Sequence, residues 1–462
     1  MSAPTRRAVT VIGAGLAGPL IAVLLARRGL PVVLLERRSD PRTGPVGGGR
    51  SINLALSARG IRALERAGLF ADVAPLLLPM RGRMLHAPSG EATLQPYGQR
   101  PEEVNFSICR ASLNQVLLCA AERAGVLLYF NQRCLGLVPR THALSCADER
   151  TGEEYVLDGE TVIAADGAGS AIRSSLVDAG VCAVRIEPLG HDYKEMILPA
   201  GPAGRHVLEP GALHIWPRGG FMLIALPNPE GTFTLTLFLP RSGPVSFAAL
   251  TDDKALRRFF AEQFPDLGRH DGALCEDFRR NPQGQLATVH ARGWRLGGRA
   301  LLLGDAAHAI VPFHGQGMNA AFEDCARLDE MLEPGGDWAA LYGKFERDRR
   351  PDTEAIARMA LENYEEMRAR VRDVRFTRLQ QLAFELERRF PQRFIPRYSM
   401  VTFHPEIPYR EALRRGEAQA RILDQLDRRR TADGGIDYAL AATLVHERLP
   451  AFEDRDPDSR TS

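Results

Sequence analysis

Residues 8–36 read AVTVIGAGLAGPLIAVLLARRGLPVVLLE, and the order of apolar and glycine positions in this stretch decides the fold. An apolar run, Ala8 to Ile12, breaks at Gly13-Ala14-Gly15-Leu16-Ala17-Gly18. A helix-period stretch follows to Arg28, Gly29 caps it, and a second apolar run, Val32 to Leu35, ends at Glu36. Strand, glycine turn, helix, strand and acid in this order form a dinucleotide-binding fingerprint. Gly13 permits the tight turn, Gly15 lets the backbone approach a pyrophosphate, and Gly18 lets the helix pack on the strand. The helix N-terminus turns unpaired N–H groups and the positive end of its dipole toward the phosphates. Glu36 stands where a carboxylate accepts the hydroxyls of an adenosine ribose and repels a 2′-phosphate, so the expected occupant is FAD or NAD, not NADP. A competing reading is a secretory or twin-arginine signal, with Arg6-Arg7 ahead of a nearly uncharged run to Ala26. Three glycines at phosphate-turn spacing, and no small-residue cleavage site before Arg27, favour the fingerprint.

At 462 residues the chain is long enough for two or three domains. Lys and Arg number 59 against 57 Asp and Glu, a net charge of +2, which makes no electrostatic case for a nucleic-acid partner. The 7 cysteines are widely spaced and form no CxxC pair. Neither a disulfide framework nor a metal site is expected, and a reducing cytoplasm suits the chain. Outside the fingerprint no apolar run approaches the roughly 20 residues that span a bilayer, so no transmembrane anchor is expected. Nothing in the sequence speaks to oligomeric state.

Outward from the fingerprint, residues 37–57 are polar and glycine-rich and read as a long loop, after which Ser57 caps a helix over 58–67. Strands over 83–87 and 92–97 turn at Pro88-Ser89-Gly90. Residues 106–124 pass from a short strand into a helix after Arg110, and 126–129 and 135–138 read as strands. Residues 161–173, TVIAADGAGSAIR, run a buried strand straight into Asp166-Gly167 and then a helix carrying Arg173. From about 183 to 240, LHIWPRG, FMLIALPN and TFTLTLFLP predict an antiparallel sheet, closed by a helix over 246–264. In residues 300–324, ALLLGDAAHAIVPFHGQGMNAAFED, an apolar strand ends at Gly304-Asp305 and Gly315-Gln316-Gly317 starts a helix. Arg/Glu-rich helices follow over 338–376 and 378–390, then a proline-bearing loop over 396–408 and helices over 410–430 and 437–448. The tail from 451 is expected to be disordered.

Three strands that each run into a glycine turn suggest one ligand gripped from three sides, beyond the carboxyl ends of the strands. Asp305 is placed to meet a ribityl hydroxyl, and N–H groups from Gly315 to Asn319 would favour negative charge on a flavin ring. Singly, DG and GD are ordinary turn dipeptides; their order behind the fingerprint is the informative part.

GAGLAG…E, DGAGSAIR and GDAAHAIVPFHGQGMNAAFED together resemble the three signatures of the single-component flavoprotein aromatic hydroxylases, the group A monooxygenases. GRSINLALSARG (49–60), MRGRMLH (80–86), LQPYG (94–98), DYKEM (192–196), LHIWPRGGFMLIALPN (213–228) and RYSMVTF (397–403) narrow the resemblance to one branch, reaching to about residue 410. That branch acts on an aromatic amino acid with a ring amino group. The resemblance implies an α/β fold: a Rossmann-like FAD-binding domain of the p-hydroxybenzoate hydroxylase type (1–80, 101–180 and 290–345), an antiparallel β-sheet substrate domain (81–100 and 181–289) and a C-terminal helical region (346–450). It implies tightly bound FAD, with NADPH and O2 as co-substrates and a flavin C4a-hydroperoxide attacking the ring carbon ortho to the amino group. No catalytic acid–base dyad is implied.

To Gly13, Gly15, Gly18, Asp166 and Gly317 of the turns, the resemblance adds FAD contacts at Ala17, Leu35, Glu36, Arg37, Arg38, Ala55, Arg110, Leu135, Asp305, Met318 and Asn319. It implies that Arg83 and Tyr97 hold the substrate carboxylate, with Asn363 and Tyr398 completing that end. Arg offers a planar bidentate clamp and a Tyr hydroxyl one directional bond. The ring would lie among Ile224, Leu226, Phe238, Pro312, Phe313 and Met367. Without that context Arg83 reads as a solvated strand charge, and Tyr97, Phe238 and Met367 as packing residues. One departure is His314, where family members commonly carry a second aromatic after Pro-Phe. His308 reads as structural. Two other functions stay open: hydroxylation of a different aromatic acid, and a flavin-binding sensor without chemistry.

Overall fold

The computed structural model describes residues 8–44, 53–138, 141, 143–158, 161–367, 374–430 and 435–452. Its centre is a six-stranded sheet in the order Arg295–Leu296, Ala300–Leu302, Thr161–Ala164, Val9–Ile12, Val32–Glu36, Leu127–Phe130. The last five strands run parallel, with Ile12 in register with Ala164 and Leu35, and Ala164 with Leu302. Val9–Ile12 and Thr161–Ala164 are buried throughout, as a parallel sheet covered on both faces requires. Because these strands share one direction, Gly13, Glu36, Asp166 and Asp305 all emerge at the same edge of the sheet.

A second, seven-stranded sheet has the order Gly284–Arg292, Ala183–Leu198, Phe233–Pro240, Met222–Pro227, Ala212–Pro217, Gly82–His86, Ala92–Pro96. It is not wholly antiparallel, as the sequence suggested: Ala212–Pro217 pairs in parallel with Gly82–His86. Two stretches more than 100 residues apart in the chain meet there, and local alternation carries no information about such a pairing. The strand Gly284–Arg292 also runs through the boundary drawn at 289/290.

Other elements differ from the sequence reading. The loop over 37–57 contains a strand, Asn53–Leu56, which joins Asn105–Cys109 and Leu78–Met80 in a small sheet. Four residues, three half-buried and one buried, are too short a pattern to register as a strand without their partner. The loop over 396–408 contains a helix, Arg397–Thr402, entered directly from Pro396, whose fixed φ suits a helix start. The helix expected over 246–264 is a single turn, Phe247–Ala249, followed by Asp253–Gln263, where the Asp252 side chain accepts from the Ala255 N–H. The described C-terminal helices are Trp338–Glu365, Val374–Arg389, Tyr409–Arg428 and Tyr438–Arg448. Residues 368–373, where one long helix was expected to continue, lie outside the described residues, as do 453–462 of the expected tail. Among the described residues no helix is long and apolar enough to cross a membrane.

Candidate active site

At the parallel edge, Gly13 has a φ of +95°, and a Cβ on it would stand 2.6 Å from the Ala165 carbonyl oxygen. A Cβ on Gly18 would come within 1.8 Å of the Gly13 carbonyl oxygen, so the helix Ala17–Arg27 lies against the turn only because neither residue has a side chain. Gly15 differs. A Cβ there would meet nothing within 4 Å, which leaves open space over the turn.

Glu36 is buried at the end of its strand. Its Oε2 accepts from the Ala14 N–H at 2.7 Å, and Oε1 from the Arg38 N–H and Nε–H at 3.0 and 2.7 Å. Burial pushes its pKa up, but the Arg38 hydrogen bond and charge and the two backbone donors outweigh it and hold the carboxyl below the ordinary range. Leu35, expected as a cofactor contact, packs its side chain into the core; its carbonyl accepts from the Gly13 N–H. Arg37 and Arg38 are exposed.

Asp166 Oδ2 accepts from the Ala171 N–H at 2.9 Å, while Oδ1 is buried without a partner, and desolvation pushes the pKa up. Arg173, on the following helix, donates to the Ala306 carbonyl at 2.9 Å and to the Ala168 carbonyl. It thereby ties the Asp166 turn to the Asp305 turn, a role its position in the motif did not disclose. Asp305 is solvent-accessible yet surrounded by protein mass. Desolvation raises its pKa, opposed by His308 and by Arg110 across the cleft. Leu135 and Ala55 are half-buried.

A buried charge network underlies the Asp305 turn. Asp324 pairs with His308 Nε2 at 2.5 Å through Oδ2, which also accepts from the Gly304 N–H at 3.1 Å; Oδ1 accepts from Arg349 Nε at 2.8 Å. Arg349 pairs with Glu323 at 2.8 Å, and Glu323 with Arg59 at 2.6 Å. Arg59 lies 3.9 Å over the Tyr409 ring, whose hydroxyl donates to Gln316 Oε1 at 2.8 Å. His308 is thus structural, as the sequence suggested.

The Gly315 turn is left-handed, with a φ of +67°. Asn319 is wholly occupied in holding it: Nδ2 donates to the carbonyls of Ala55 and Gly315, both at 2.8 Å, and Oδ1 accepts from the Ser57 N–H at 2.9 Å. The helix Gly317–Met331 starts here, and its first N–H groups have no intrahelical acceptor. Open space over Gly15, an orphaned Asp166 oxygen, an accessible Asp305 and a free helix N-terminus along one edge suit the pyrophosphate, ribityl chain and ring of a flavin dinucleotide.

Beyond that turn the second sheet and the helix Arg397–Thr402 bring aromatic rings together around Arg83. The rings of Tyr97 and Tyr398 stack at 5.4 Å, and the Arg83 guanidinium lies 4.7 Å from the Tyr398 centroid and 5.8 Å from that of Tyr97. Arg83 Nε is buried with no hydrogen-bond partner. Desolvation lowers the Arg83 pKa, but the two tyrosines and Glu366 outweigh it, and Arg83 stays a cation. Asn105 donates to the Tyr398 hydroxyl at 3.0 Å. His314 stacks on Tyr398 at 5.3 Å, so the departure from the family pattern keeps a flat ring in place.

Burial, and to a lesser degree Arg83, Arg397 and Arg59, press the His314 pKa down to about 3. The imidazole is neutral in the fold but protonates below about pH 6.5 in the unfolded chain. Stability tied to this group is complete above that value and is lost as pH falls from there toward 3. His314→Phe is accordingly expected to flatten the fall in melting temperature between pH 7 and pH 5. Parallel slopes for the two proteins would refute this.

Phe313 packs against Phe238 at 4.9 Å and Tyr364 at 4.3 Å, in one cluster with Met367 and Ile224. Leu226 packs with Tyr97 and Phe403. Asn363 donates to the Phe313 carbonyl at 2.6 Å and faces the Met367 sulfur, bracing the wall. Pro312 is exposed at the head of the turn. Sequence reasoning missed Tyr364, Asn105 and Phe403, although each lies within five residues of a residue it singled out.

A family model for an FAD binding domain matches residues 6–180 and 266–357. The kynurenine 3-monooxygenase of Myxococcus xanthus is 46% identical over 459 residues, covering 99% of both chains. That of Stenotrophomonas maltophilia is 45% identical over 453 residues, covering 98% of this chain and 99% of its own. Among solved structures, 2-methyl-3-hydroxypyridine-5-carboxylic acid oxygenase superposes with a TM-score of 0.65 at 22% identity, over 79% of this chain and 94% of that one. PqsL of Pseudomonas aeruginosa does so with 0.62 at 22% identity, over 78% and 97%. At that identity the structural likeness speaks for the fold alone.

Proposed function

The chain belongs to the kynurenine 3-monooxygenase family of FAD-dependent monooxygenases, and from that premise we propose that it hydroxylates L-kynurenine at ring position 3, within tryptophan degradation. The observation that carries the substrate reading is the Arg83 guanidinium, set beside the stacked rings of Tyr97 and Tyr398 with its Nε unpaired. A buried cation with a free donor calls for an anionic ligand, and the amino-acid carboxylate of kynurenine supplies one. Bound FAD, reduced by NADPH, supplies an electrophilic oxygen drawn from O2.

The chain's own part is placement. Arg83 binds the carboxylate, while Tyr97 and Tyr398 flank it and exclude water. Phe238, Phe313, Met367 and Ile224 form the apolar wall for the ring. The N–H groups at the start of Gly317–Met331 would face the flavin, and Glu36 would take the adenosine ribose. Asn319 and Asn363 act as braces, since their side-chain amides are already bonded to the turn. The ring amino group activates the carbon to be hydroxylated, so no protein base is needed. We assign the FAD-binding domain to 1–80, 101–180 and 293–345 and the substrate domain to 81–100 and 181–292, which keeps the strand Gly284–Arg292 whole. The reaction is placed in the cytoplasm, where the free thiols of the chain persist.

The test is NADPH oxidation by the FAD-loaded protein with and without L-kynurenine, with the product identified by mass. Stimulated oxidation with a product one oxygen heavier supports the proposal. Absence of stimulation overturns it and directs the search to other aromatic acids. A companion expectation concerns Glu36→Gln, which keeps the shape but removes the charge. Loss of a charged acceptor is worth about 1.5–3 kcal/mol, so FAD should be held roughly tenfold less tightly or worse, read from flavin fluorescence on dilution. Unchanged retention would remove Glu36 from the ribose site.

A further inference from the structure

Cys134 and Cys146 stand directly opposite each other on adjacent antiparallel strands, Gln132–Leu137 and Leu144–Asp148, where the register shifts between Ser145 and Cys146. Opposed residues in such a ladder have Cα atoms about 4.5–5.5 Å apart, within the roughly 4.4–6.8 Å that a disulfide spans. We propose that this pair is a redox modification site, a dithiol that hydrogen peroxide closes to a Cys134–Cys146 disulfide in the wall of the flavin cleft.

Both residues are free thiols. The Cys134 S–H donates to the Cys146 sulfur, which the Tyr155 hydroxyl also faces. That contact pushes the Cys134 thiol up and draws Cys146 down, so Cys146 is the sulfur that gives up its proton while Cys134 keeps its own. Cys146 is fully buried and Cys134 half-buried, so an oxidant reaches the pair from the Cys134 side. The location is also specific. Leu135, the neighbour of Cys134, is one of the residues assigned to the flavin, and the Asp166 carboxylate is close enough to act on Cys134 electrostatically.

Hydrogen peroxide is the product of O2 reduction by a flavin whose oxygen does not reach a substrate. That source rests on the function proposed above; the thiol geometry does not. The Cys146 thiolate attacks one peroxide oxygen and the O–O bond breaks, leaving a sulfenic acid and a hydroxide that takes up the displaced proton as water. The Cys134 sulfur then attacks the Cys146 sulfur. An S–S bond forms, the S–O bond breaks, and the hydroxyl leaves as water with the Cys134 proton. Two thiols are oxidised and one peroxide is reduced to two waters. The exposed Cys119, on the helix Arg110–Arg123, has no such partner sulfur assigned to it and serves as the internal control.

The experiment adds stoichiometric hydrogen peroxide to the FAD-loaded enzyme, alkylates the remaining thiols under denaturing conditions and maps the peptides without reduction. The expected result is the loss of two alkylatable thiols, a cross-linked Cys134–Cys146 peptide lighter by two hydrogens, and full recovery on adding dithiothreitol. In Cys134→Ser the cross-link is absent, whereas Cys119→Ser leaves the cross-link intact. Retention of both thiols, or their conversion to sulfinic acid without a cross-link, overturns the proposal on the wild-type protein alone. Because peroxide is added directly, failure here leaves kynurenine hydroxylation standing, and failure of that activity leaves the thiol pair standing.

Discussion

Arg83→Met is expected to lower kcat/KM for L-kynurenine by about 30- to 1,000-fold, mostly through KM, while FAD stays bound. Truncating one partner of a buried, charge-assisted pair costs about 2–4 kcal/mol, and each 1.4 kcal/mol is about a factor of ten. The remaining pocket does not compensate, because Tyr97 and Tyr398 are stacked with Arg83 and carry no charge of their own. The same substitution should change the melting temperature little. The Arg83 Nε has no hydrogen-bond partner, its neighbours only offset the desolvation of the guanidinium, and methionine fills similar volume. Arg83→Lys should recover only part of the affinity, since an ammonium lacks the planar fork. Steady-state kinetics and thermal unfolding on the same preparations check both expectations. An unchanged KM would show that the carboxylate binds elsewhere.

Asp324→Ala is expected to destabilise the protein by about 3–5 kcal/mol and to release FAD, the scale for breaking a buried ion pair from one side. Asp324 is fully buried, and its two oxygens serve His308, Arg349 and the Gly304 N–H. Removing it leaves Arg349 and His308 facing an apolar cavity directly beneath the turn that presents Asp305. Burial pushes the Asp324 pKa up, but the charges and hydrogen bonds of His308 and Arg349 outweigh it and hold the carboxyl below its ordinary value. The stability it contributes is therefore full above about pH 4, the unfolded value, and is lost as pH falls further. Thermal unfolding followed by flavin fluorescence reads both effects. A variant that melts with the wild type and keeps its flavin would show the network to be dispensable. Asp324→Asn, which retains an acceptor for the Gly304 N–H, should fall between the two.

Much of the flavin cleft was legible from local chemistry. Gly13 needs a positive φ, and Gly18 lies against a carbonyl oxygen, so their spacing in the chain already encodes the turn. The resemblance implies cofactor contacts at Leu35 and Asn319; the Leu35 side chain packs into the core and the Asn319 side chain is occupied with Ala55, Gly315 and Ser57. A motif records which residues a turn needs without distinguishing those that touch a ligand from those that hold the turn.

The sequence by itself determined the FAD-binding fold and the edge at which its glycine turns gather. Each of the three signatures is a contiguous strand and turn, and parallel strands must deliver their ends to one side. Only the tertiary structure decided that Arg83, Tyr97, His314 and Tyr398 share one pocket, that Asp324 carries the Asp305 turn, and that Cys134 faces Cys146. These side chains come from separate strands and helices, and their contacts depend on register and packing between elements, which no spacing along the chain records.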